Sequence, residues 1–308
     1  MLELQGHRGA RGLWPENTLA AFDGALELGV STLELDCGLT RDGVVVVTHD
    51  PELNPDLTRG ADGRFLARTG ARIFDLTYPE LESYDVGRLQ PGSAYAARFP
   101  EQQPVDGERI PRLTDVLTRV RARSDGRVRV AIEVKTNPLQ PELTATPEAF
   151  AAALRRDVEA TGTLGMVSIM AFDFRVLTAV QRLMPQTETV ALTEEQNGGD
   201  TVGLGAPSPS PWLGGLDPAR FGNSVVRLVK ATGAGTWGPD YQDLNAQRIA
   251  EAHALGLRVV PWTVNATVDM ERLLAFGIDG MTTDRPDVLR ELLESKGLPV
   301  PPPFPGDI

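Results

Sequence analysis

The sequence contains a single cysteine, Cys37, so no disulfide can close within the chain and a reducing compartment is the natural expectation. It has no uninterrupted apolar stretch of the ~20 residues that a membrane-spanning helix requires. The opening Met1-Leu2-Glu3-Leu4-Gln5 has neither a basic nor an apolar leader segment, so no secretory signal is expected on it. Basic residues are in deficit: 30 Lys and Arg stand against 42 Asp and Glu, a formal charge of −12 at pH 7. That excess repels DNA, RNA and anionic lipid surfaces at long range. The composition therefore predicts a cytoplasmic protein with no nucleic-acid partner and no stable membrane insertion. An anionic small molecule would have to be held locally, in a pocket screened from carboxylates more than about 8 Å away. Histidine is scarce as well, with His7, His49 and His253 the full set.

What is present is enough apolar residue to build one large core, 41% of 308 residues, a length near that of a single α/β barrel. Strand-like and helix-like segments alternate, as a parallel sheet with helical crossovers demands. Strands are expected at 2–6, 31–37, 44–48, 128–135, 166–171, 187–192, 234–237, 257–263 and 278–282. Helices are expected after the cap Asn17-Thr18 and at 146–160, 173–183, 223–232, 245–255, 267–276 and 286–295. The one strand in excess of eight is explained by a return strand after the turn at Arg41-Asp42-Gly43. The fold class is then a (β/α)₈ TIM barrel in a single domain over 1–298. Residues 50–112, dense in glycine and proline, read as a small insertion after the second strand on the C-terminal face, with Thr77 and Glu80 starting one short helix. Residues 194–215 form a second long loop, and 299–308 a proline-rich tail.

His7 and His49 each follow an apolar strand-like run, which in such a barrel is the C-terminal rim where active sites are built. His253 lies mid-helix among alanines and reads as structural. Glu34 and Asp36 lie two apart, so a strand points both carboxylates to one side. Facing a barrel interior they need a cation, and for oxygen ligands a hard divalent ion such as Mg²⁺ or Ca²⁺ is the usual one. Glu133 and Lys135 repeat the spacing. Glu133 can supply a third carboxylate, and Lys135 either holds a phosphate oxygen or forms a structural pair with Glu133. Arg8 offers a fork of donors to a phosphate. Trp262 ends the run from Leu257, where its ring packs against either a substrate group or the core.

In order along the chain, His7-Arg8-Gly9-Ala10, Pro15-Glu16-Asn17-Thr18, Glu34-Leu35-Asp36 and His49-Asp50-Pro51 resemble the signature of the glycerophosphodiester phosphodiesterases, members of the phosphatidylinositol-phospholipase-C-like superfamily. Ile110-Pro111-Arg112-Leu113, Ile132-Glu133-Val134-Lys135, Trp262-Thr263-Val264-Asn265 and Asp279 to Pro286 extend the resemblance to about residue 290. It implies a barrel with a small insertion after the second strand, a divalent metal on Glu34, Asp36 and Glu133, and paired acid–base work by His7 and His49. It also implies that Arg8, Glu16 and Lys135 surround the phosphate. The expected reaction is hydrolysis of a glycerophosphodiester to sn-glycerol 3-phosphate and an alcohol, by way of a cyclic phosphate. A lysophospholipase D or related phospholipase of the same superfamily is the nearer rival. A catalytically silent barrel that binds a phosphorylated ligand is the further one.

Overall fold

The structure is a computed structural model and describes residues 2–196 and 198–306. Strands β1 (Glu3–Gly6), β2 (Thr32–Leu39), β4 (Arg129–Val134), β5 (Val167–Ala171), β6 (Glu188–Thr193), β7 (Thr236–Pro239), β8 (Arg258–Val259) and β9 (Gly280–Thr283) pair in parallel in the order β8-β7-β6-β5-β4-β2-β1-β9. The Asp279 N–H donates to the Val259 carbonyl at 3.0 Å and the Thr282 N–H to the Pro261 carbonyl at 2.9 Å, which close β9 onto β8. The result is a (β/α)₈ barrel. The short strand β3 (Val45–Val47) runs antiparallel to β2 after the turn at 41–43.

Helices follow the strands in turn. The Thr18 side chain caps α1 (Leu19–Leu28), and Gly29 closes it in the left-handed region. The insertion holds α2 (Tyr78–Leu81), whose Glu80 carboxylate accepts from the N–H and hydroxyl of Thr77. Next come α3 (Leu113–Ser124), α4 (Pro147–Thr161), α5 (Phe174–Leu183), α6 (Val225–Ala231), α7 (Ala246–Ala254), α8 (Thr267–Phe276) and α9 (Pro286–Ser295).

Helix α3 is the element that sequence reading leaves out. Leu113, Val116, Leu117 and Val120 bury one stripe at helical spacing, but no side chain caps the N-terminus at Arg112, and Asp125, not glycine, takes the left-handed closing position. Strand β8 is shorter than the expected 257–263. Pro261 has no N–H to give to a ladder, and the chain resumes pairing at Trp262, which bridges to Asp240.

Besides a small apolar layer inside the barrel, two apolar masses hold the molecule. The larger lies between barrel and helices; the smaller, with Val46, Leu53, Ile73, Tyr78, Leu81 and Ile110 buried, anchors the insertion. The tail packs back: buried Phe304 donates its N–H to the Leu26 carbonyl at 2.8 Å, and Arg127 lies 4.7 Å over its ring. Among the described residues no helix is long and apolar enough to cross a membrane.

Candidate active site

Side chains alternate along a strand, so each barrel strand sends every second residue inward. Read from the N-terminal mouth upward, the interior begins with Glu3, Arg129, Glu188 and Arg258, passes through Ala131, Met170, Val190 and Leu192, and ends at the C-terminal mouth with the acids and histidines. There a chamber of about 470 Å³ opens, lined among others by His7, Arg8, Glu34, His49, Glu133, Lys135 and Trp262.

Glu34, Asp36 and Glu133 are buried, and each offers an oxygen within 4.8 Å of the others. The pairing register explains this: Asp36 faces Glu133 directly across β2 and β4, and Glu34 lies two residues back on the same face. Burial, then the neighbouring charges of Asp36 and Glu133, push the Glu34 carboxyl well above its ordinary range. Burial pushes Asp36 the same way, but Lys135 and Arg8 outweigh it and hold the group well below. Lys135 lies 3.0 Å from Asp36 Oδ1 and also contacts Glu133. Asn17, in the left-handed region at φ 57°, donates from Nδ2 to Asp36 Oδ2 at 2.9 Å.

The His7-Arg8-Gly9 turn sets the first strand's contribution. Arg8 sits at φ 52°, a strained value for a side-chain-bearing residue, held there as its N–H donates to Glu34 Oε2 at 2.8 Å. Gly6 is required because a Cβ there would lie 2.0 Å from the Gly9 carbonyl oxygen. His7 Nδ1 is 2.6 Å from Asp284 Oδ1, and Nε2 is 3.8 Å from Glu34. Burial, helped by the charge of Arg11, lowers the His7 pKa to about 4. The ring is therefore neutral at neutral pH, with Nδ1–H donated to the carboxylate and Nε2 unprotonated. His49, partly exposed just beyond β3, places Nδ1 2.7 Å from Asp50, which Asn54 in turn fixes.

A further set of residues completes the site. Asp284 accepts from Arg11 at 3.0 and 3.1 Å and from Asn265 at 2.7 Å; burial pushes it up, but His7 and Arg11 hold it far below the ordinary carboxylate range. Arg11 donates to the Tyr95 hydroxyl at 3.1 Å, Tyr95 donates to Glu16, and Glu16 accepts from Arg8 at 2.5 Å. Arg8 Nε lies 3.0 Å from Asp36, so a buried ring of polar contacts runs from His7 to the acidic triad through the insertion. Glu16 lies behind Arg8 in this ring and is not among the residues that line the chamber. Trp262 does line it, donating Nε1–H to the Gly238 carbonyl and meeting Phe172 edge-on at 5.3 Å. His253 stands apart on α7, 2.9 Å from Asp279.

Asp284, Asp240 and Glu194 are absent from the sequence-based set, although a signal for each exists. Thr282 and Leu192 line the chamber and a Cβ on Gly238 would meet Leu192 and Val190, so each acid lies two residues beyond an inward position and continuing the period-2 count past the strand end reaches the rim. Arg11 and Tyr95 carry no such signal, because they meet only through the fold.

Comparison with known proteins decides the family: a profile of the glycerophosphoryl diester phosphodiesterase family matches residues 7–288. The chain belongs to that family. A glycerophosphodiester phosphodiesterase of Bacillus subtilis strain 168 is 28% identical over 290 residues, 93% of this chain and 84% of the relative. The human lysophospholipase D GDPD1 is 26% identical over 302 residues, 94% of this chain and 85% of its own. Among solved structures, a Silicibacter pomeroyi DSS-3 protein named for the same family superposes with a TM-score of 0.86 at 33% identity, covering 97% of this chain and 95% of that one. An Oleispira antarctica phosphodiesterase shares the fold with a TM-score of 0.68 at 20% identity, covering 95% and 96%. The chain is thus a phosphodiesterase, and the chamber at the C-terminal mouth is where its chemistry is to be sought.

Proposed function

We propose that the protein hydrolyses glycerophosphodiesters to sn-glycerol 3-phosphate and an alcohol by paired histidine catalysis at a divalent-metal site. One observation carries this reading: two histidines, each with Nδ1 fixed by an aspartate, line the chamber together with Glu34 and Glu133 of the buried carboxylate triad. The Oleispira phosphodiesterase, solved with sn-glycerol-3-phosphate as product, supports the same assignment.

The donor set fits a hard cation. With Glu34 ionised, as a ligand to a cation must be, Glu16, Glu34, Asp36, Glu133 and Asp284 carry five negative charges against three on Arg8, Arg11 and Lys135, an excess of two that matches a divalent ion. Glu34, Asp36 and Glu133 would hold Mg²⁺ or Ca²⁺, which when bound neutralises phosphate charge and stabilises the charge that develops on its oxygens. Arg8 and Lys135 add two positive charges beside the phosphate, and Glu16, behind Arg8, orients that guanidinium. His7 Nε2 takes the proton of the substrate's glycerol 2-hydroxyl as its oxygen attacks phosphorus. His49 gives a proton to the departing alcohol oxygen as the P–O bond breaks. The cyclic phosphate that results is opened by water, with the two rings exchanging roles. Trp262 borders the substrate on the far side.

The test is turnover of glycerophosphocholine by the purified protein, before and after EDTA and after return of Mg²⁺ or Ca²⁺, with sn-glycerol 3-phosphate measured enzymatically. Metal-dependent release of that product is expected. Release of glycerol and phosphocholine instead, or full activity in EDTA, overturns the assignment. Lysophosphatidylcholine forms the second arm, since the human relative is named a lysophospholipase D. Cleavage of it in preference to glycerophosphocholine would shift the reading to that rival.

A further inference from the structure

The chamber is electrically lopsided in a way the catalytic reading does not use. In barrel order β6 and β7 stand opposite β1 and β2. Glu194 follows β6 and Asp240 follows β7, so their carboxylates line the chamber across from His7, Arg8 and Glu34. The two segments are tied together where the Asp240 N–H donates to the Thr193 carbonyl at 2.9 Å. Among the described residues, neither acid is paired with a lysine or arginine, whereas the adjacent Glu195 is paired with Arg248 at 2.6 Å. Asp240 is only 9% exposed, and one of its oxygens accepts from the Gln242 N–H at 2.7 Å. The cost of holding such anions together shows in both: burial first, then repulsion from Asp240 and Asp243, pushes the Glu194 carboxyl above its ordinary value, and burial with repulsion from Asp243 does the same to Asp240 against the hydrogen bond from the Gln242 N–H.

The acids are set in aromatic surroundings. Phe172 stands edge-on to Trp262 at 5.3 Å and to Trp212 at 6.4 Å, and Phe172, Trp262 and Tyr241 line the same chamber. On the opposite side Arg11 and Arg98 line it, with Arg98 stacked at 5.5 Å on Tyr95 and Phe99. The acids of the phosphate side are matched by Arg8, Arg11, Lys135 and the divalent cation they would hold, whereas Glu194 and Asp240 on the aromatic side have no such counter-charge among the described residues. Carboxylates alone would suit any cation, and aromatic rings alone any apolar group. Together, in a chamber that a phosphodiester must enter to react, they suit an organic cation, attracted to the ring faces and to the unpaired charges at once.

We propose that Glu194, Asp240, Phe172 and Trp262 form a subsite for a positively charged alcohol group of the substrate, making the enzyme selective for diesters of amino alcohols over those of uncharged alcohols. The inference rests on the glycerophosphodiesterase reading above and adds to it a selectivity and the residues that set it. The phosphate is held on the β1–β2–β4 side, and the ammonium of the leaving alcohol lies on the β6–β7–β8 side.

The experiment compares kcat/KM for glycerophosphocholine and glycerophosphoglycerol in the metal-loaded, full-length enzyme. The wild type is expected to favour the cationic substrate at least tenfold. Glu194→Gln with Asp240→Asn should reduce that ratio at least tenfold, while Glu195→Gln, on the arginine-paired neighbour, should leave it alone. Tetramethylammonium chloride, with potassium chloride at equal ionic strength as the control, should compete with glycerophosphoglycerol in the wild type. This second measurement needs no variant and decides the matter if the double variant does not fold. An unchanged ratio in a folded double variant, or no competition by tetramethylammonium, overturns the subsite. Hydrolysis of both diesters with no preference refutes the subsite while leaving the function in place. Hydrolysis of neither removes the function and the subsite together.

Discussion

At the N-terminal mouth of the barrel, Glu3 and Glu188 meet Arg129 and Arg258; at the C-terminal mouth, Glu16, Glu34, Asp36, Glu133 and Asp284 meet Arg8, Arg11 and Lys135. Both clusters are built from inward positions on the strands and the loops that continue them, and an apolar layer separates them. The lower cluster comes from alternate strands β1, β4, β6 and β8, one layer of four, and its charges cancel. The upper cluster, with Glu34 ionised, carries an excess of two negative charges and encloses open space. A balanced layer closes the barrel, whereas an unbalanced one beside a chamber is arranged to receive a cation and an anion from outside.

The sharpest way to break this contrast is to remove the residues assigned to chemistry. His7→Ala and His49→Ala should each lower kcat by about 10²–10⁴, with little change in melting temperature. His253→Ala should leave activity intact, because that ring lies on α7 outside the chamber lining, bonded to Asp279. Near-full turnover in either of the first two variants would refute the paired mechanism.

How much of this was legible in the sequence follows from the same alternation. Period-2 spacing puts Glu34 with Asp36 and Glu133 with Lys135 on one face, and the nine strand positions agree with the structure to within a few residues. Helix α3 was missed for want of a capping side chain and a closing glycine, although its apolar stripe is regular. The ring through Arg11, Tyr95 and Asp284 was illegible for a different reason. Its members lie 84 and 273 residues apart, and no local pattern encodes a contact made only when the insertion folds over the first strand's turn.

That ring supplies the next prediction. Tyr95→Phe removes one hydroxyl, leaving Arg11 and Glu16 each short of a partner in a buried setting. Loosening Arg11 frees Asp284 and so His7, while loosening Glu16 frees Arg8. The expected effect is a loss of about tenfold in kcat/KM, an intermediate effect at the same mouth. A melting-temperature shift with unchanged kinetics would mean that the tyrosine only anchors the insertion.

The lower mouth should respond the other way. Arg258→Met leaves Glu3 with its Thr32 and Gln5 contacts but no cation. Arg258 is 40% exposed along its side chain, so solvent screening limits the cost to about 1 kcal/mol. The melting temperature should fall by about 2 °C with kcat and KM unchanged. A loss of activity would show that the two mouths are coupled through the apolar layer.

The smallest expected effect tests whether that loss is electrostatic, and its sign follows from Glu3. Burial raises the Glu3 carboxyl, but the charge and hydrogen bond of Arg258, with Thr32 and Gln5, overcome it and hold the group below its ordinary value of 4.5. As pH falls below 4.5 the unfolded chain takes up this proton before the folded one does. The stabilisation is therefore fully present above pH 4.5 and is lost as pH falls through the folded value. In Arg258→Met the counter-charge is gone and burial makes Glu3 easier to protonate, so acid relieves the variant while it costs the wild type. Arg258 also reaches Glu188, but at 3.5 Å and with Arg129 left as that acid's partner, so Glu3 dominates the difference, and carboxylates remote from Arg258 are common to both proteins and cancel. The stability gap seen by denaturant titration at pH 7 should consequently narrow below pH 4.5 and vanish once Glu3 is protonated in both. A gap that keeps its size down to pH 3 would mean that Arg258 acts by packing its aliphatic stem in the lower mouth, and the balanced-layer account of that end of the barrel would fail.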